Sequence, residues 1–209
     1  MFAGTLPIDS QNSLALLGKT KCLSSCYMAG GSALALQLNH RQSIDFDFFS
    51  KDTPDYADIK KSLHSIGRLT VSSETPKTLT GSFNGVKFSL FHYPYPVIRP
   101  FKKFFRINIA SPEDISAMKL VAITDRGTKK DFIDLYFIVK KLFGFSKMLG
   151  FYDEKYHLLE KNMFTIIKSL SFFLDAEEEK MPKMIENVSW EEVKKFFESE
   201  VIKLANKYL

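Results

Sequence analysis

The sequence predicts an α+β chain: a sheet with helices over residues 1–110, followed by a helical domain over residues 111–209. Three observations carry this. Ile44-Asp45-Phe46-Asp47-Phe48-Phe49 alternates with period two, as a half-buried strand does. Asn84-Gly85 stands between two strand-like runs and is the pair a two-residue hairpin turn favours. From Ser111-Pro112-Glu113-Asp114 onward, apolar residues recur at helical spacing instead.

The elements follow in order. Leu14, Leu17 and Leu23 predict a short amphipathic helix ahead of Tyr27 and Met28. Gly30-Gly31-Ser32 interrupts that pattern. Ala33 to Leu38 is a run of good helix formers, ended by a turn at Asn39-His40-Arg41. In the strand over 44–49, Ile44, Phe46 and Phe48 are expected on the core face. Asp52, Pro54 and Asp55 open a helix expected over 51–66, with Ile59, Leu63 and Ile66 as its apolar side. Strands are expected around Val71, Leu79 and Phe83 and over Val86 to Tyr93, after which Pro94, Pro96 and Pro100 make the chain irregular. In the second half, Ser111 is a good N-cap, Pro112 suits the first helical position, and two acids fill the first turn. Phe132, Leu135, Tyr136, Val139, Leu142 and Phe143 make one helical stripe. Ser189 with Glu192 forms a capping box for a last helix running to Tyr208.

Composition narrows the function classes. With 45% hydrophobic and 25% charged residues, disorder and low-complexity readings fail. No run approaches the ~18 apolar residues of a membrane span. The start carries no basic segment followed by an apolar stretch, so no signal peptide is expected. Cys22 and Cys26 are too few for a disulfide scaffold and fit a reducing, cytoplasmic compartment. Four apart, they are expected on one helix face, and the scattered His40, His64, His92 and His157 add no zinc spacing. Residues 1–110 hold 13 Lys and Arg against 7 Asp and Glu, whereas residues 111–209 hold 16 against 17. A basic first half suits an anionic ligand. Phe101, Phe104 and Phe105 with Lys102, Lys103 and Arg106 read first as a linker strand with solvated lysines; the same composition also suits contact with RNA.

Residues 30–49 carry the sharpest chemistry. Asp45 and Asp47 are two apart on the expected strand, so both carboxylates leave one face. Such a pair repels itself unless a cation lies between, and it suits Mg²⁺, which is held by one or two carboxylates plus substrate phosphates. Upstream, Gly30, Gly31 and Ser32 open a helix whose first N–H groups are available to an anion. A phosphate cradle followed by a metal-binding strand is what phosphoryl or nucleotidyl transfer requires.

The string AGGSALALQLNHRQSIDFDFFS resembles the first motif of the polymerase-beta-like nucleotidyltransferases and, in its full length, the AbiEii/AbiGii toxin family within them. MKLVAITDRGTKKDFIDLYFI, residues 118–138, is similar to that family's downstream Lys and Asp motifs. The resemblance implies a nucleotidyltransferase domain with a small mixed sheet, followed by a helical domain that closes the active cleft. It implies Mg²⁺-dependent transfer of a nucleotidyl group from an NTP to an acceptor: tRNA or another RNA, a protein side chain, or a small molecule of aminoglycoside type. It further implies the toxin of a bacterial toxin–antitoxin or phage-defence system, with an antitoxin as partner.

Carried over residue by residue, Asp45 and Asp47 match the metal ligands, and Gly31 and Ser32 the phosphate-contacting pair. Lys119 matches the motif lysine, and Asp131 and Asp134 the late acidic motif; all five charged residues are implied to be catalytic. Arg41 and Ser43 lie in the loop between helix and strand and are expected to bind nucleotide, Arg41 as a fixed cation at a phosphate. One departure stands out. The strand Val86 to His92 has no acid where many of these enzymes take a third carboxylate, and Ser89 is its central polar residue. That departure keeps open a chain that binds a nucleotide or a partner without catalysis.

Overall fold

A seven-stranded mixed sheet forms the centre of the computed structural model, which describes residues 1–209. The first half supplies α1 (Ile8–Leu17), β1 (Tyr27–Ala29), α2 (Gly30–Leu38), β2 (Phe46–Ser50), α3 (Tyr56–His64), β3 (Leu69–Thr75), β4 (Thr78–Phe83), β5 (Val86–His92), β6 (Lys102–Phe104) and β7 (Ile107–Ile109). The second half is helical: α4 (Pro112–Asp125), α5 (Lys129–Lys141), α6 (Phe145–Tyr156), α7 (Leu159–Ser169), α8 (Leu174–Glu177) and α9 (Trp190–Tyr208). The strand order is β3-β4-β5-β2-β1-β7-β6. β2 runs parallel to β5 and antiparallel to β1, and β1 runs parallel to β7.

Local chemistry sets the element ends. The Asp55 carboxylate accepts from the backbone N–H groups of Ala57 and Asp58, Ser111 Oγ from Asp114 N, and Ser189 Oγ from Glu192 N. Asn84 and Gly85 take φ of 50° and 81°, the left-handed pair that joins β4 to β5 in a tight hairpin. Asn39 closes α2 at φ 56°.

Several expectations are corrected. The strand starts at Phe46, so Asp45 lies just before it and Ile44 is 55% exposed, not in the core. The helix expected over 51–66 covers only Tyr56–His64. α1 stops at Leu17, and Leu23 is buried from the loop that follows. Cys22 and Cys26 therefore share no helix face; Cys22 Sγ instead lies 2.8 Å from Thr20 Oγ1. Leu142 falls beyond α5 and is exposed. Lys102 and Lys103 belong to an edge strand, turned back through Phe105 and Arg106 at φ 46° and 66°.

Both halves share one buried apolar cluster, which runs from Leu6 to Leu204. Its link is α2: α4 and α5 both pack against it. This packing brings residues 119–134 over the Gly30–Leu38 helix and the end of β1.

Candidate active site

The register of three strands puts the carboxylates at the start of α2. Ala29, the last residue of β1, pairs with Asp47, and Asp47 pairs with Ser89 on the other side. Gly30 then turns into α2 at φ 73°, and a Cβ there would stand 2.9 Å from Asp47 Oδ2. Glycine is thus required both by the backbone angle and by the carboxylate beneath it. Neither Asp45 nor Asp47 takes part in an ion pair within 4 Å. Burial, and next the charge of Asp45, push the Asp47 carboxyl above its ordinary range, with the Ser89 hydroxyl opposing. Two adjoining carboxylates without a protein counter-ion are a donor set that fits Mg²⁺. No third His, Cys, Asp or Glu stands with them. The first turn of α2 has no side-chain cap, so its N–H groups remain available to an anion.

A cleft of about 520 Å³ opens here, bounded by Gly30, Gly31 and Asp47 on one side and by Lys119 and Arg126 from the second half on the other. Phe49, Phe91 and Tyr93 form its apolar end. A second hollow of about 600 Å³ is lined by Asp45, Lys87, Lys130 and Lys180. Arg126 borders both spaces, which therefore flank one guanidinium.

Beneath the cleft lies a buried charge network. Lys119 Nζ lies 2.7 Å from Asp131 Oδ1 and 2.6 Å from Asp134 Oδ2. Arg41 grips Asp134 with two bonds, Nε to Oδ1 at 2.7 Å and Nη2 to Oδ2 at 2.9 Å, the fork geometry of guanidinium on carboxylate. His40 Nε2 is 2.8 Å from Asp134 Oδ1. Burial lowers the His40 pKa more than Asp134 raises it, so the ring is neutral and donates from Nε2. Asp131 also accepts from Arg126 Nε at 3.1 Å and Thr128 Oγ1 at 2.6 Å. Burial alone would raise the Asp131 pKa, but Lys119 and then Arg126 hold it down to about 2. The same contest, won by Arg41 and Lys119, holds Asp134 well below the carboxylate range.

The network reassigns several residues. Asp134 is fully buried, and Arg41 is 2% exposed with its remaining terminal nitrogen, Nη1, on the carbonyl of Gln42. Arg41 is thus an internal brace and not a free cation at a phosphate. A Cβ at Gly31 would overlap Arg41 Nη2, which explains the second glycine. Ser32 is buried too: its hydroxyl donates to the Asp45 carbonyl at 2.5 Å and accepts from Ser43 Oγ at 2.9 Å. Ser32 and Ser43 thereby fix the loop that aims Asp45. The cleft brings together Gly31, Asp47 and Lys119, with Asp45 next to it. Arg126 and the aromatic end went unread in the sequence. Phe49 had a signal, since it lies two residues after Asp47 and shares its strand face.

Comparison with known proteins places the chain in a family and a fold. The family model described as "Nucleotidyl transferase AbiEii toxin, Type IV TA system" matches residues 15–103 and 91–206. An uncharacterised protein of Aquifex aeolicus is 37% identical over 195 residues, spanning 88% of this chain and 92% of its own length. A Helicobacter pylori crystal structure, described as a nucleotidyltransferase candidate, shares the fold with a TM-score of 0.56 at 16% identity, over 96% of each chain. MenT4, a nucleotidyltransferase toxin of Mycobacterium tuberculosis, superposes with a TM-score of 0.50 at 12% identity, over 94% of this chain and 84% of its own. The chain therefore belongs to the AbiEii toxin family of nucleotidyltransferases.

Proposed function

We propose that the chain transfers a nucleotidyl group from an NTP to an acceptor hydroxyl in a Mg²⁺-dependent reaction. One observation carries this reading: Asp47 lacks a protein counter-ion and stands at the uncapped start of α2, open to a cleft walled by Lys119 and Arg126, with Asp45 beside it at the second hollow that Arg126 also borders. Asp45 and Asp47 would hold the metal. When bound, Mg²⁺ neutralises phosphate charge and aligns the reacting oxygens. The Gly31 and Ser32 N–H groups receive phosphate oxygens. Arg126, anchored by Asp131, extends a partly exposed guanidinium over the same space. Lys119 has one N–H left after its two carboxylates and directs it at the leaving group. Asp45 orients the acceptor hydroxyl. The acceptor oxygen then bonds to the α-phosphorus, the bond from the α-phosphorus to pyrophosphate breaks, and the hydroxyl proton passes to solvent.

The acceptor in this reading is RNA, the 3′ end of tRNA included, and the protein is a cytoplasmic toxin paired with an antitoxin. The test is incubation with labelled NTPs, Mg²⁺, total RNA and cell extract. Label on RNA with release of pyrophosphate is the expected result. Ser89, at the position of the third carboxylate, favours a second reading as a nucleotide-binding module. NTP binding without pyrophosphate release would establish that one instead.

A further inference from the structure

A row of aromatic rings leads away from the carboxylates. Phe49 and Phe91 are paired across β2 and β5 and stack with centroids 5.2 Å apart. Phe49 meets Tyr93 edge-on at 5.3 Å, Tyr93 meets Tyr95 at 4.8 Å, and Tyr95 meets Tyr156 at 4.8 Å. Tyr152 completes the row, 4.9 Å from Tyr156. The tyrosines line a hollow of about 440 Å³, separate from the catalytic cleft but sharing Tyr93, Val121 and Asp125 with it.

The hollow is built to be rigid and only partly closed. The hydroxyls of Tyr93 and Tyr156 are hydrogen-bonded to each other, and Asn162 Nδ2 donates to the Tyr152 hydroxyl at 2.7 Å. Tyr152 and Tyr156 are buried, whereas Tyr95 is 38% exposed and presents ring surface at the mouth. The amide oxygen of Asn162 and the carboxylate of Asp125 take no bond from the protein, and both residues line the hollow.

We infer that this tyrosine hollow is the acceptor subsite and takes an unpaired nucleobase of an RNA chain whose terminal hydroxyl lies at Asp45 and Asp47. The inference rests on the proposed nucleotidyl transfer and names where its acceptor lies. An exposed ring face at the mouth, held in place by buried tyrosines behind it and with acceptors at the edge, is what a splayed-out base requires, by stacking on Tyr95 and by hydrogen bonds to its amino groups. A polycationic aminoglycoside would require several carboxylates, and Asp125 is the sole charged residue lining the hollow. A protein side chain carrying a hydroxyl has no use for four tyrosine rings.

The probe is a short fluorescein-labelled single-stranded RNA, its binding to the full chain followed by anisotropy without NTP. Tyr95→Ala is expected to weaken binding about tenfold or more. Tyr95→Trp, which keeps the stacking surface, is expected to restore it. Calorimetric binding of NTP with Mg²⁺ is expected to be equal in all three proteins. Asp47→Asn is expected to bind the RNA normally while transferring nothing, so loss of chemistry and loss of the acceptor subsite are read separately. Equal RNA affinity of Tyr95→Ala and wild type would overturn the inference, and so would equal affinity for an RNA duplex of the same sequence.

Discussion

Lys119 and Asp134 form an ion pair of 2.6 Å in which the side chains are 7% and 0% exposed. The pair joins α4 to α5, and through His40 and Arg41 it fastens both to the loop that precedes β2. The site is therefore built in two layers: a neutralised brace below, and an unneutralised carboxylate pair above it.

The brace carries stability. Removing one partner of a buried ion pair leaves the other charged and unpaired, at a cost of about 3–5 kcal/mol. Asp134→Ala leaves the buried Arg41 without a carboxylate and is expected to lose stability of that order in urea denaturation. Lys119→Ala is expected to lose less, because Asp134 keeps Arg41 and Asp131 keeps Arg126. A loss within about 1 kcal/mol for Asp134→Ala, the range of exposed pairs, would contradict a structural brace.

Acid is expected to unfold the chain in two stages. The pKa of His40 is lowered in the fold, so the unfolded chain binds its proton first, and stability falls as pH drops below about 6.5. Asp131 and Asp134 have lowered pKa values, so their contribution is present above the ordinary 3.8 and is lost as pH falls towards about 2. Urea midpoints between pH 7 and 2 follow both stages. His40→Phe is expected to remove the first and keep the second.

Asp47 behaves in the opposite sense. The Asp47 pKa is raised, so its ionised form destabilises the fold at neutral pH. Asp47→Asn is expected to melt at or above the wild-type temperature without metal. Mg²⁺ is expected to raise the wild-type melting temperature and to leave that of Asp47→Asn unchanged. Equal Mg²⁺ shifts in the two proteins would remove Asp47 from the metal site.

Gly31 tests the join between the layers. A Cβ there displaces Arg41 from Asp134, so Gly31→Ala is expected to cost about 1–3 kcal/mol and to weaken NTP binding as well. Calorimetry of both quantities checks this.

Much of this fold was legible because short-range chemistry decides it. Asp55, Ser111, Ser189 and Asn84-Gly85 act within a few residues, and each does what its type dictates. Asp47 lies on β2 as the alternation indicates, whereas Asp45 falls one residue before it. β1 was not legible, since three fully buried residues show no period. The β6–β7 hairpin was hidden because Phe105-Arg106 is no ordinary turn pair. Arg41 was misread because its partner is 93 positions away, and a local reading sees a loop cation where the fold supplies a buried carboxylate. Ile44 failed because the strand begins two residues later than the alternation does.

In the proposed reaction Asp47 serves chemistry and not the fold. The most direct test follows pyrophosphate release and label transfer from NTPs to total RNA, comparing wild type with Asp47→Asn at matched thermal stability. The account predicts Mg²⁺-dependent transfer by the wild type and none by a fully folded Asp47→Asn. Transfer by Asp47→Asn at the wild-type rate would contradict it.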